Sequence, residues 1–218
     1  MSEQFIHTDG TILPVGIIYC IGRNYAEHAK EMGGELLAEP VVFIKPATAH
    51  AMSGSKVPIP SYSNNMHHEV ELVVVIGKDC NNVSESEAME YVSGYGVGID
   101  FTLRDVQAKA KASGLPWATA KSFYSSAPVS NIVTIDSIAD INNCHIELNV
   151  NGKLVQSGNT SDMQRSVPQL ISYISHVFRL RKGDCIFTGT PQGVGQVVSG
   201  DKLEAKLDNF ITLNIEIE

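Results

Sequence analysis

The chain has 218 residues, 43 % of them hydrophobic and 18 % charged, enough to bury one sizeable core, and its length argues for a single domain over residues 1–218. A net charge of −8, a pI near 5.3 and basic residues without a cluster exclude nucleic acid and anionic membrane as expected partners. The start Met1-Ser-Glu-Gln-Phe5 lacks the order of a signal peptide, and no apolar run reaches the ~18 residues that span a bilayer, so a cytoplasmic protein is expected.

Residues 17–21 read as a short strand and 24–32 as a brief helix that Gly33-Gly34 ends, so that about 1–48 forms a leading segment with the character of a lid. Residues 41–44 are strand-like before Lys45-Pro46, and 48–65, rich in Ser, Gly and Pro, read as a long loop. Ser84 with Glu87 suggests a capping box for a helix to about Val92, and Thr102 with Asp105 a second one for a helix that Gly114 stops. Ser166 and Pro168 open a third helix, with Leu170, Ile171, Ile174 and Val177 at helical spacing. Residues 146–150, 185–188, 203–207 and 211–217 read as strands, separated by turns such as Asn151-Gly152 and Gly200-Asp201. Few, short helices and strands without β-α-β alternation predict an α+β, sheet-rich mixed-β fold. Cys20, Cys80, Cys144 and Cys185 form no C-x-x-C pair, so neither a zinc ribbon nor a disulfide framework is expected.

The chemistry is concentrated at Glu69-Val70-Glu71, which opens the strand-like run to Ile76. A period of two puts both carboxylates on one face. At about 4 Å and an effective dielectric near 20 two such charges repel by roughly 4 kcal/mol. A raised pKa or a cation would relieve them, and Asp100, closing Gly94-Tyr-Gly-Val-Gly-Ile-Asp100, offers a third carboxylate that favours the cation. An all-oxygen set suits Mg²⁺ or Mn²⁺ better than zinc. Two other readings stay open: an edge strand showing its glutamates to solvent with Asp100 capping the next helix, and a zinc site that includes His67.

Four other features have both bland and functional readings. His28 and Glu31, three apart in the lid helix, form either a solvated ion pair or a carboxylate-oriented base. Arg104 and Gln107, also three apart, either face Asp100 or lie on a helix surface. Lys121, after Leu115-Pro-Trp117, reads unaided as a surface residue. Thr188-Gly-Thr190-Pro-Gln-Gly193-Val-Gly195 resembles an anion-binding loop but fits neither nucleotide motif, which leaves a tight turn.

Ordered motifs along nearly the whole chain resemble the fumarylacetoacetate hydrolase family, in particular its short acylpyruvase and oxaloacetate decarboxylase-like members. They are Ile21-Gly-Arg-Asn-Tyr-Ala-Glu-His28, Phe43-Ile-Lys-Pro46, His67-His-Glu-Val-Glu-Leu72, Asp100-Phe-Thr-Leu-Arg-Asp-Val-Gln107, Leu115-Pro-Trp-Ala-Thr-Ala-Lys121, Ser157-Gly-Asn-Thr-Ser-Asp-Met163 and Phe187-Thr-Gly-Thr-Pro-Gln-Gly-Val-Gly195. The resemblance implies a sheet-rich, usually homodimeric fold, with Mg²⁺ or Mn²⁺ on Glu69, Glu71 and Asp100. It makes His28 and Glu31 a catalytic dyad, gives Lys121 the stabilisation of negative charge, and makes Arg104, Gln107 and Thr190 substrate contacts; Arg23 and Asn24, although within a matched motif, are expected only to shape the lid hinge. The implied reaction is hydrolysis of the C–C bond of 2,4-dioxo acids (acylpyruvates) through a metal-bound pyruvate enolate, with decarboxylation of oxaloacetate on the same site. The alternative is an isomerase or tautomerase: keto-enol exchange of oxaloacetate, or isomerisation of an unsaturated 2-oxo acid. The chain departs from the longer fumarylacetoacetate hydrolases in lacking their extra N-terminal domain, and Asp208-Asn-Phe210 stands where relatives often have a glycine-containing turn.

Overall fold

A computed structural model describes residues 3–31, 33 and 38–218. Among the described residues, an eight-stranded sheet runs in the order Val41–Lys45, Ile18–Gly22, Cys185–Phe187, Val70–Ile76, Val92–Ile99, Ala127–Val129 and His50–Met52, with Val133–Thr134 also paired to Val92–Ile99. A five-stranded sheet runs Lys153–Asn159, His145–Val150, Lys202–Leu207, Ile211–Ile217 and Lys56–Val57. Most pairs are antiparallel, but Cys185–Phe187 with Ile18–Gly22, Ala127–Val129 with His50–Met52, and Ile211–Ile217 with Lys56–Val57 are parallel. The expected mixed, sheet-rich α+β class is therefore what the chain adopts.

The strand Val70–Ile76 is buried at every position, and its pleat divides it between two cores. Val70, Leu72, Val74 and Ile76 join Ile146, Leu148, Leu203 and Leu213 of the five-stranded sheet. Val73 and Val75 point the other way, toward Phe5, Leu13, Ile18, Val129 and Phe187. Burying each such side chain stabilises the fold by roughly 1.5–3 kcal/mol, which fixes the register. The glycines of the neighbouring strand answer the same packing: a Cβ on Gly98 would stand 2.7 Å from both the Phe187 ring and Val73.

Four α-helices are described: α1 (Ala26–Glu31), α2 (Arg104–Ala112), α3 (Ala118–Lys121) and α4 (Val167–Phe178). The expected lid helix is thus shorter at its start, while Met32 and Gly34, at its expected end, lie outside the described residues. α4 opens as expected, the Ser166 N–H donating to the Gln169 amide oxygen at 2.9 Å. Leu170, Ile171 and Ile174 are buried, but Val177 is 55 % exposed.

Three expectations are corrected. Ser84 does bond Glu87, through its N–H at 3.1 Å and its hydroxyl at 2.6 Å, yet only a 3₁₀ turn, Ala88–Tyr91, follows. The chain is needed from Val92 onward as the partner of Val70–Ile76. Thr102 does not cap α2; it pairs with His67 across strands and gives its hydroxyl to Glu69, while Asp105 accepts from Ser63 and Asn64. Finally, 48–65 is not a continuous loop, since it contains His50–Met52 and Lys56–Val57. These add parallel strands to partners far along the chain, so no local pattern announces them. All four cysteines are buried and free. No described helix is long and apolar enough to cross a membrane.

Candidate metal centre and its cavity

Sheet register assembles the triad. Val70 pairs with Ile99 and Glu71 with Gly98, and the Asp100 N–H donates to the Glu69 carbonyl at 2.8 Å. Asp100 is thereby delivered beside the two glutamates. Ligand oxygens of Glu69, Glu71 and Asp100 all lie within 4.8 Å of one another, and all three side chains are buried. The edge-strand alternative fails because Val70–Ile76 runs through the middle of the sheet. The zinc alternative finds no support either: His67 stays outside the cluster, its Nε2 at 2.8 Å from Asn65 Oδ1. Burial and the nearby Arg104 and His68 charges bring its pKa down to about 4.

Three cations surround the three carboxylates. Lys121 Nζ donates to Glu69 Oε2 at 2.9 Å and to Asp100 Oδ2 at 2.6 Å. Arg104 Nη2 donates to Glu69 Oε1 at 2.6 Å, and Arg104 Nη1 to the Gln107 amide oxygen at 3.1 Å. Lys45 Nζ lies 2.7 Å from Asp100 Oδ1 and donates to the Ser126 carbonyl at 2.9 Å. Burial would lower the Lys121 pKa, but Asp100 and Glu69 overcome it and hold the ammonium protonated. Burial would raise Glu69, and Lys121 with Arg104 outweighs it and holds that carboxyl well below its usual range. Sequence reasoning assigned no role to Lys45. Its position at the end of the half-exposed strand Val41–Lys45 gives no local sign of burial, and only its carboxylate partner, far along the chain, explains it.

The residues fit a hard divalent ion. Asp100 Oδ1 is buried without an aligned hydrogen-bond donor, its contact with Lys45 being an ion pair only. Glu71 accepts one bond, from the Gly189 N–H at 2.7 Å, and its pKa is pushed well up by burial, Asp100 and Glu69. An oxygen cluster that retains an unanswered acceptor and an over-crowded carboxylate is completed by a cation.

Above the triad lies a cavity of about 270 Å³, lined by His28, Glu69, Glu71, Asp100, Arg104, Gln107, Lys121 and Thr190 among others. Every site residue expected from the sequence except Glu31 thus meets in one space. Glu31 stands behind His28, its Oε2 3.3 Å from His28 Nδ1, and accepts from the Gly193 N–H. Burial lowers the His28 pKa, against the pull of Glu69 and Glu31. The lid and the Thr188–Gly195 loop are further joined by Asn24, which donates to the Thr188 carbonyl at 2.8 Å. Gln156, which sequence reasoning missed, is fully enclosed: its amide nitrogen donates to Thr190 Oγ1 at 2.8 Å, and its oxygen accepts from the Val70 N–H at 3.0 Å. It comes from the other sheet, and no local pattern marks it.

The pattern of the family described as "Fumarylacetoacetate (FAA) hydrolase C-terminal" matches residues 17–218. The chain belongs to the fumarylacetoacetate hydrolase family. Among its relatives, "Oxaloacetate tautomerase FAHD1, mitochondrial" from Bos taurus is 49 % identical over 201 residues, covering 92 % of this chain and 91 % of that protein. "Oxaloacetate decarboxylase, mitochondrial" from Dictyostelium discoideum is 43 % identical, covering 89 % of this chain and 90 % of that protein. Fumarylpyruvate hydrolase from Pseudomonas aeruginosa, solved in complex with Mn²⁺ and pyruvate, superposes with a TM-score of 0.94 at 37 % identity, covering 99 % of this chain and 95 % of that one. Within this family the chain thus stands near tautomerases, decarboxylases and hydrolases of small 2-oxo acids.

Proposed function

We propose that this protein is a Mg²⁺- or Mn²⁺-dependent enzyme that interconverts the keto and enol forms of oxaloacetate. The observation that carries the reading is the pairing of an oxygen triad bridged by Lys121 with a buried, neutral histidine in the same cavity. Enolisation needs both: stabilisation of the oxyanion that forms and a base for the adjacent carbon proton. A divalent ion on Glu69, Glu71 and Asp100 would supply the positive charge that favours the enolate.

The remaining work falls to side chains. With Nδ1 turned to the Glu31 carboxylate, His28 donates there and keeps Nε2 for the proton it removes from carbon and returns to oxygen. Lys121 adds a second positive charge at the oxyanion. Gln107 and Thr190 offer polar groups to the substrate carboxylate. The relatives named for oxaloacetate support this choice of substrate.

C–C hydrolysis of acylpyruvates through a pyruvate enolate is the second reading, favoured by the same dyad, since His28 Nε2 can equally take its proton from a water, and by the likeness to the Pseudomonas fumarylpyruvate hydrolase. Purified protein with Mg²⁺ or Mn²⁺ separates the two on oxaloacetate and acetylpyruvate. Loss of enol absorbance without pyruvate release is the outcome expected here; pyruvate released from acetylpyruvate at a comparable rate would replace the tautomerase with the hydrolase. A homodimer remains part of the proposal, supported by the exposed apolar side chains of Ile44, Met52 and Tyr124, and sedimentation measures it. The bovine relative is mitochondrial by name, so the cytoplasmic expectation rests on this chain's sequence alone.

A further inference from the structure

Among the described residues, two cations in the cavity wall form no ion pair. Arg104 and Lys121 are taken up by Glu69 and Asp100, whereas Arg23 and Lys111 line the same cavity without an ion pair to any described residue. Lys111 lies at the rim, its ammonium 5.1 Å from the centre of the Trp117 ring. Burial, and then the charges of Arg104, Arg23 and Lys121, lower its pKa against the pull of Glu69. Arg23 holds φ +60°, a left-handed conformation that arginine seldom adopts. Its neighbour Asn24 secures it by bonds to Thr188 and to the Arg165 backbone.

In the floor of the site Lys45 and Lys121 pair with Asp100, and Arg104 and Lys121 with Glu69. The positive charge of Arg23 and Lys111 forms an ion pair with none of the triad. It stands within a space of about 270 Å³, at the small end for ligand cavities, so it acts on the far end of a short substrate. We propose that Arg23 and Lys111 form a receptor for a second, distal carboxylate, so that the site selects dianionic 2-oxo acids over monoanionic ones. The inference deepens the proposed function and relies on it for the placement of the substrate's 2-oxo end. An adjoining groove lined by Val42, Ile44, Leu115 and Pro116 sets up the opposite expectation, since it would seat an uncharged acyl tail.

The test is calorimetric titration of the Mn²⁺-loaded protein with 2-oxoglutarate and 2-oxopentanoate, which share a chain length and differ in a terminal carboxylate against a methyl. The wild type should bind the dianion about tenfold tighter. Arg23→Gln and Lys111→Gln should each remove most of that advantage while leaving 2-oxopentanoate within about twofold, and Arg23→Lys and Lys111→Arg should restore much of it. Lys111 is exposed on α2, so its variants preserve the fold, and thermal unfolding verifies this for Arg23. A wild type without preference, tighter binding of the monoanion, or variants that weaken both ligands equally would overturn the receptor. The two proposals fail separately: dianion selectivity that depends on Arg23 and Lys111 without turnover of oxaloacetate would sink the tautomerase alone, and turnover with unchanged selectivity in both variants would sink the receptor alone.

Discussion

Lys45 and Lys121 hold opposite oxygens of Asp100: Lys45 Nζ lies 2.7 Å from Oδ1, and Lys121 Nζ lies 2.6 Å from Oδ2. The first contact is wholly buried. Removing one partner of a buried pair leaves an uncompensated charge, at a cost of roughly 3–5 kcal/mol. Lys45→Met should therefore lower stability by about 3 kcal/mol in chemical denaturation, with Mn²⁺ restoring part of the loss. An unchanged midpoint would mean that Asp100 does not depend on Lys45.

Glu71 predicts a pH signature. Its folded pKa is raised by burial, Asp100 and Glu69, so its contribution is fully present below the unfolded carboxyl value and is lost as pH rises toward the folded one. Glu71→Gln removes that loss. Metal-free Glu71→Gln should gain stability over metal-free wild type from about pH 5 upward, by at most about 1.4 kcal/mol per unit, and should lose the stabilisation that Mn²⁺ gives the wild type. Melting curves at several pH values, with and without Mn²⁺, decide it. Mn²⁺ that still stabilises the variant would remove Glu71 from the ligand set.

Turnover should depend on neutral His28. Because burial lowers its pKa from the ordinary 6.5, the acid limb of kcat/KM in the free enzyme should fall below pH 6.5, with activity lost as pH drops through the folded value. His28→Asn should reduce turnover about 100-fold or more without altering Mn²⁺ affinity. Glu31→Gln should reduce it less and shift the acid limb lower, since the carboxylate raises the histidine. A limb that stays in place in Glu31→Gln would uncouple the pair.

Gly98 gives a packing prediction. An alanine there drives its Cβ to 2.7 Å from the Phe187 ring and Val73, so Gly98→Ala should destabilise by about 1–3 kcal/mol. Because Gly98 pairs with Glu71, Mn²⁺ affinity should fall as well. A variant as stable as the wild type would show that the two strands have slack.

A strand's period of two puts Glu69 and Glu71 on one face, and Asp100 closes a run whose alternating glycines mark a closely packed strand, so the triad was visible as a candidate, but spacing alone left a solvent-facing edge strand open and the family motifs favoured the metal. Helix spacing likewise made the pairs His28/Glu31 and Arg104/Gln107 legible. The family motifs, more than local pattern, singled out Lys121 and Thr190, both of which line the cavity. Whatever depended on sequence-distant partners stayed hidden: Lys45 finds Asp100, Gln156 reaches Thr190 and Val70 from another sheet, and His50–Met52 finds its place only beside Ala127–Val129. The apparent caps at Ser84 and Thr102 misled for a related reason. Their local geometry is sound in isolation, but sheet pairing claims the following residues in the first case and the threonine hydroxyl itself in the second.

Lys121 also bears on how the site would take up a divalent ion. Its ammonium rests on Glu69 and Asp100, two of the three side chains that would hold a divalent ion, and so acts as a resident place-holder. In the metal-free chain this eases the repulsion between Glu69 and Asp100, though not that on Glu71, and an arriving ion must contend with a tethered competitor that never diffuses away. Occupancy of the triad by such an ion should then follow supply.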